Sequence, residues 1–215
     1  MNQTEFKLQQ AYKINQDLDR VEDYAPEWRE EWGVVDAKVI GELANQDSFD
    51  IVFYDPERID SFDEIRMEGL LSDFEGIDYL YTEPLLPIIS KQMLSVLRSV
   101  KDFPHQAIPV SIRDMQMATG SFTERSGKVS TDYVAVQLLE QLDIVDRERS
   151  DYDTDDDDSD EIEYINKLVL SVPESGLPPI FRIKENSTYL YVSPEAKAAL
   201  EEAGITGIRF VDINF

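Results

Sequence analysis

The chain has 215 residues, with 45 acidic against 20 basic side chains and a formal charge of -25 at pH 7. Such a field repels nucleic acid and anionic membrane surfaces and attracts basic proteins. The absence of cysteine excludes disulfides, thiolate chemistry and the sulfur-rich kinds of zinc site.

The hydrophobic content is ordinary for a globular protein, and ten Phe, ten Tyr and two Trp are available to fill a core. The opening "MNQTEFKLQQAYK" has no apolar run of signal-peptide length. No segment reaches the about 18 to 20 apolar residues of a membrane-spanning helix. A cytoplasmic protein is the expectation.

In chain order, "APEWREEWGVV" predicts a short helix, with Pro26 in its first turn and Gly33 at its end. Trp28 and Trp32 are four apart on one face of it and are expected to anchor it on the core. "FDIVFYDPE" predicts a strand running into a turn at Asp55-Pro56, and "GIDYLYTEP" alternates in the same way. Ser90 is placed to cap a helix through "SKQMLSVLRSV", in which Ile89, Met93, Val96, Leu97 and Val100 follow helical spacing. That helix should end before Phe103-Pro104, and "AIPVSI" should follow as a strand with Ile108, Val110 and Ile112 on one face.

"MATGSFTERSGKVSTD" is rich in Gly, Ser and Thr and predicts a long turn or hairpin connection. "YVAVQLLEQLDIVDRERS" begins with strand-like alternation, and its second half fits either type. "INKLVLSV" and "PPIFRI" predict strands. "YLYVSPEAKAALEEAG" predicts a strand and then a helix with Ser193 as N-cap and Pro194 at the first helical position. Its expected buried stripe is Ala196, Ala199, Leu200 and Ala203, with Gly204 as the C-cap. "GIRFVDINF" closes the chain as a strand.

Two stretches share one order of strand, Ser cap, helix and strand, with Ser90 matching Ser193 and Leu97 matching Leu200. Together these elements predict an α+β (mixed α/β) fold, a mixed sheet with helices packed on it. The expected organisation is an N-terminal α/β portion at 1–85 packed on a second portion at 86–215.

Between Ser150 and Tyr164 lie nine carboxylates and no cation. Read as a calcium loop from Asp151, this run puts Asp156 where Gly is required and Ile162 where a bidentate Glu is required. Starting at Asp153 fails the same way, with Asp158 and Tyr164. A mobile, solvated acidic loop at 150–163 is the expectation, because adjacent like charges repel.

Enzyme signatures fail as well. Gly127-Lys128 lacks both the earlier Gly, replaced by Phe122, and the following Ser/Thr, replaced by Val129, of a phosphate-binding loop. His105 is the only histidine and has no nucleophile near it in sequence. Carboxylate pairs are too numerous here to single out an acid–base couple. No catalytic residue, metal site or cofactor is expected.

The stretch "PPIFRIKENSTYLYVSPEAKAALEEAGITGIRF" resembles the end of the Imm11 family of bacterial immunity proteins from polymorphic toxin systems. The shared features are the "IFR" strand at Ile180 to Arg182, the entry Tyr191 to Ser193, and "AGITGIRF" from Ala203 to Phe210. "LPIISKQMLSVL", "AIPVSI" and "YVAVQLLEQLDIVDRERSDYD", with Asp146 and Ser150, also look like that family, so the resemblance covers 86–215. The aspartate run after Ser150 is longer than the family pattern.

The resemblance implies a cytosolic protein that binds a cognate toxin and blocks it. A basic, nuclease-like toxin fits the charge, with carboxylates standing where phosphates would. The candidate toxin-binding residues are Asp151, Asp153, Asp155, Asp156, Asp157, Asp158, Asp160, Glu161 and Glu163. A carboxylate-dependent hydrolase and a general acidic nucleic-acid mimic or adaptor are the alternative readings. Oligomeric state is left open.

Overall fold

In the computed structural model, residues 11–20, 35–41, 53–60, 63–83, 86–118, 121–154 and 162–213 are described. Thirteen strands and three helices follow one another among them. The first strands are β1 (Tyr12–Gln16), β2 (Ala37–Val39) and β3 (Ile65–Gly69), then the single turn α1 (Leu71–Phe74), β4 (Thr82–Glu83) and β5 (Ile88–Ser90). Next come α2 (Lys91–Val100), β6 (His105–Ala118), β7 (Ser121–Leu138), β8 (Gln141–Leu142), β9 (Asp151–Thr154) and β10 (Ile162–Lys167). The chain closes with β11 (Ile180–Ile183), β12 (Asn186–Val192), α3 (Pro194–Glu202) and β13 (Ile208–Asp212). The fold is α+β: a five-stranded sheet β13-β1-β12-β11-β8, a six-stranded sheet β4-β2-β3-β6-β7-β5 and the hairpin β10-β9. No helix among the described residues is long and apolar enough to cross a membrane.

Both helices predicted from a serine cap are present. The Ser90 hydroxyl accepts from the Met93 N–H at 2.9 Å, and that of Ser193 accepts from the Ala196 N–H at 3.1 Å. Each satisfies one of the free donors of a helix start. The shared order of elements has a spatial counterpart. β5 and β6 both run antiparallel to β7, which lies between them. β12 and β13 likewise both run antiparallel to β1. Each half is therefore a parallel strand–helix–strand unit split by one inserted antiparallel strand. The helices α2 and α3 pack on each other, and their buried faces share a core with Ile14, Ile89, Val134, Val136, Leu190 and Val192 from the two sheets.

The far face of each sheet has its own core. Ile65, Met67, Phe74, Val110, Ile112 and Tyr133 fill one, and Phe181, Ile183, Tyr191, Leu168 and Leu170 fill the other. The period-two alternation of strands makes this division: Tyr191 points away from the helices while Leu190 and Val192 point toward them. Strands from both sides of residue 86 share both large sheets, with β1 between β13 and β12 in one and β2, β3 and β4 in the other.

Several expectations need correction. "MATGSFTERSGKVSTD" is mostly strand, since β6 runs to Ala118 and β7 begins at Ser121. Backbone pairing with β6 outweighs its weak local preference, and three register shifts absorb the extra residues of β7, with Gly127 at φ 73°. In "FDIVFYDPE" residues 49–52 lie outside the described residues, and Phe53 to Asp55 already form the turn, where the Asp55 carboxylate accepts from the Glu57 N–H at 2.7 Å. In "GIDYLYTEP" only Thr82–Glu83 is a strand, while Tyr79 makes an isolated bridge to Ile89. In "INKLVLSV" the strand ends at Lys167. On α3, Ala196 and Leu200 are buried but Ala199 is half-buried and Ala203 exposed. Ala203 is the C-cap, and Gly204 follows it at φ 67°. The helix expected around Trp28 and Trp32 lies outside the described residues.

Buried polar groups tie the layers together. Asp78 accepts from the Ser90 hydroxyl through Oδ1 and from the Thr206 N–H at 3.0 Å through Oδ2, joining the cap of α2 to the loop before β13. Asp36, fully buried, receives a bidentate Arg20 guanidinium and the Tyr81 N–H at 2.7 Å. Gln137 holds the 53–60 segment: its amide donates to the Asp55 and Glu57 carbonyls at 2.9 and 2.6 Å and accepts from the Ile59 N–H at 3.2 Å.

Candidate functional site

The acidic run begins at an ordered turn. The Asp146 carboxylate accepts from Arg149 Nε at 2.6 Å and from the Arg149 N–H at 3.0 Å. These bonds hold its carboxyl below the usual aspartate range. The Ser150 hydroxyl accepts from the Val169 N–H at 3.0 Å and donates to the Val169 carbonyl at 3.2 Å. Asp146 and Ser150 thus have structural roles in launching β9 beside the chain that follows β10.

β9 and β10 pair antiparallel, with Asp151 opposite Lys167, Tyr152 opposite Ile165 and Asp153 opposite Tyr164. Of the loop expected from 150 to 163, residues 151–154 and 162–163 are strand instead, and 155–161 lie outside the described residues. The Tyr152–Ile165 cross-strand pair supplies apolar contact, and Lys167 brings a cation opposite Asp151 from outside the run. Asp151 and Asp153 are exposed. Glu163 lies on β10 at a register shift between Ile162 and Tyr164. Asp155, Asp156, Asp157, Asp158, Asp160 and Glu161 lie outside the described residues. Among the described residues, no group of three or more His, Asp or Glu is arranged to hold a metal ion.

The strand that pairs with Asp151 and Asp153 also walls a groove of about 240 Å³. Ile165, Asn166 and Leu168 form one side, Tyr189 and Tyr191 of β12 another, and Lys13 and Val211 the floor. Lys13 sits opposite both Tyr191 and Val211 in the sheet register, and its ammonium lies 3.1 Å from the centre of the Tyr189 ring. Burial pulls the Lys13 pKa down. Tyr189 remains 41% exposed at the groove. These residues come from four segments, so no local motif announces them. The one signal was the alternation in "YLYV", which puts Tyr189 and Tyr191 on the same strand face.

A larger cleft of about 610 Å³ opens between α1 and the β6–β7 pair, lined by Phe74, Glu75, Asp114, Lys128, Asp132 and Tyr133 among others. Two of its carboxylates, Asp114 and Asp132, are committed locally. Asp114 accepts from the Leu71 N–H at 3.1 Å and the Ser126 hydroxyl at 2.6 Å, and Asp132 accepts from the Ser130 hydroxyl at 3.2 Å. The Tyr133 hydroxyl donates to the Ile77 carbonyl at 2.8 Å. Burial, with Asp78, Asp36 and Asp132 around it, pushes the Tyr133 phenol well up. His105 opens β6, stacked 4.4 Å from Phe103, with Nδ1 at 2.8 Å from the Phe103 carbonyl.

No known family model matches the chain, and no curated protein matches it.

Proposed function

We propose that this chain is an immunity protein that binds a cognate bacterial toxin in the cytosol and blocks it by stoichiometric contact. The observation that carries the reading is that one hairpin carries two unlike features. Asp151 and Asp153 are exposed on β9, and the partner strand of β9 walls the groove that holds Tyr189. Exposed carboxylates raise the encounter rate with a basic partner, whereas a desolvated aromatic anchor lengthens the complex's lifetime. The net charge of -25 and the resemblance of 86–215 to the Imm11 family support the same reading. A nuclease-like toxin, with a cleft built for phosphates, fits this charge best.

The test is rescue of toxicity. Candidate toxin domains from the genes flanking that of this chain are expressed in a bacterial host with and without it. Restored growth and a stoichiometric complex on size exclusion are expected; growth arrest that this chain does not relieve refutes the reading. Within that complex, changing Asp151, Asp153 and Asp155 to Asp158 to Asn should slow association at low salt, and the effect should shrink at high salt. Tyr189→Ala should act instead on the dissociation rate.

A further inference from the structure

A strand at the edge of a sheet presents unpaired backbone donors and acceptors, and proteins blunt such edges by shortness, bulges or charge. Among the described residues, three of the four edges of the large sheets are short: β4 and β8 have two residues each and β5 has three. The hairpin β9–β10 carries two register shifts, and the β6–β7 pair carries three. β13 is neither short nor bulged, and its one cation, Arg209, is drawn toward Asp17 and Asp19. It is a five-residue edge strand, paired with β1 at every position from Ile208 to Asp212 without a register shift, and it contains no Pro or Gly.

We propose that β13 is a strand-addition site and that its occupant is an extended basic segment of a partner protein. The charge around the edge selects that occupant. Arg209 is already paired with Asp17, at 3.6 Å, and Asp19, so two carboxylates face one guanidinium. Asp212 lies at the other end of the strand and lines the groove. A second copy of this chain would bring another -25 to the same edge. A basic strand instead gains main-chain hydrogen bonds along β13 and charge complementarity beside it. The half-buried Ile208 and Phe210 share one face of the strand, where apolar side chains of the occupant belong. Arg209 and Val211 share the other, and the occupant's basic side chains belong at its Arg209 end, near Asp17 and Asp19 and away from Lys13, which lies opposite Val211. This inference rests on the proposed function for the partner's charge and adds how that partner is held.

The experiment uses the full chain and a short peptide alternating lysine and valine, with amide hydrogen exchange read by NMR. Bound peptide should slow exchange at alternate amides between Ile208 and Asp212. The same peptide with its alternate backbone amides N-methylated, in either set, keeps its side chains and charge. One of the two sets should bind about tenfold or more weakly, because two or more main-chain hydrogen bonds are lost. Equal binding of both N-methylated peptides overturns strand addition in favour of charge alone. Absence of protection at 208–212 also overturns it, while leaving toxin rescue as the separate test of immunity. Equal protection by a glutamate–valine peptide overturns the basic occupant. A dimer that already protects these amides before peptide is added replaces the occupant with a second copy.

Discussion

Replacing Asp78 by Ala should be among the most damaging single changes to this fold. Asp78 is only 8% exposed and accepts from two groups that belong to different halves of the molecule, the Ser90 hydroxyl and the Thr206 N–H. Removing the carboxylate strands both donors. At about 1–3 kcal/mol per unsatisfied buried group, the loss is about 2–6 kcal/mol, a large share of an ordinary domain's about 5–15 kcal/mol. Asp78→Asn is the informative control. Its carbonyl oxygen can still accept from the Thr206 N–H. Its amide can donate to the Ser90 hydroxyl, which already accepts from Met93 and has a second lone pair. The Asn variant should therefore lose about 1 kcal/mol, the difference between a charge-assisted and a neutral hydrogen bond. Urea unfolding followed by circular dichroism gives both numbers. An Ala variant within about 0.5 kcal/mol of wild type, the range of inert surface changes, would refute the account of Asp78 as the tie between α2 and the loop before β13.

The same loop supplies a second test. Gly207 has φ 80°, and a Cβ there would lie 2.6 Å from the Tyr79 carbonyl oxygen, so Gly207→Ala should cost about 1–3 kcal/mol or more in the same urea assay. Gln137→Leu strips partners from the Asp55 and Glu57 carbonyls, while the Ile59 N–H keeps Gln106 at 3.1 Å. A loss of about 2–4 kcal/mol and faster proteolysis within 53–60 are expected. Asp146 is a carboxylate whose folded pKa is depressed, so its stabilisation is present above the ordinary aspartate range and lost as pH falls through the depressed value. Asp146→Asn should accordingly be less stable than wild type at neutral pH, and thermal melts should show the gap closing in acid. A gap that widens on acidification would contradict the sign.

Local chemistry made the two capped helices legible. A serine hydroxyl three residues before its backbone donor, as at Ser90–Met93 and Ser193–Ala196, is encoded within one turn and needs no distant partner. The apolar alternation of "AIPVSI" was equally readable, and Ile108, Val110 and Ile112 are all buried. The shared order of elements in the two halves was visible too, though not the strand inserted into each. What composition could not decide was pairing. Ser, Thr and Gly from 121 to 132 become strand because β6 offers a ladder, and Asp151 to Thr154 because β10 does. Asp151 and Asp153 were readable as acidic but not as strand residues, because the positive charge opposite Asp151 lies at Lys167, outside the run. The groove beside them was invisible, since Lys13, Ile165, Tyr189 and Val211 meet only after β1 slots between β12 and β13. Helix caps are set by neighbours along the chain. Strand partners, and any surface built across them, are set by contacts between segments far apart in sequence, so only the tertiary structure assigns them.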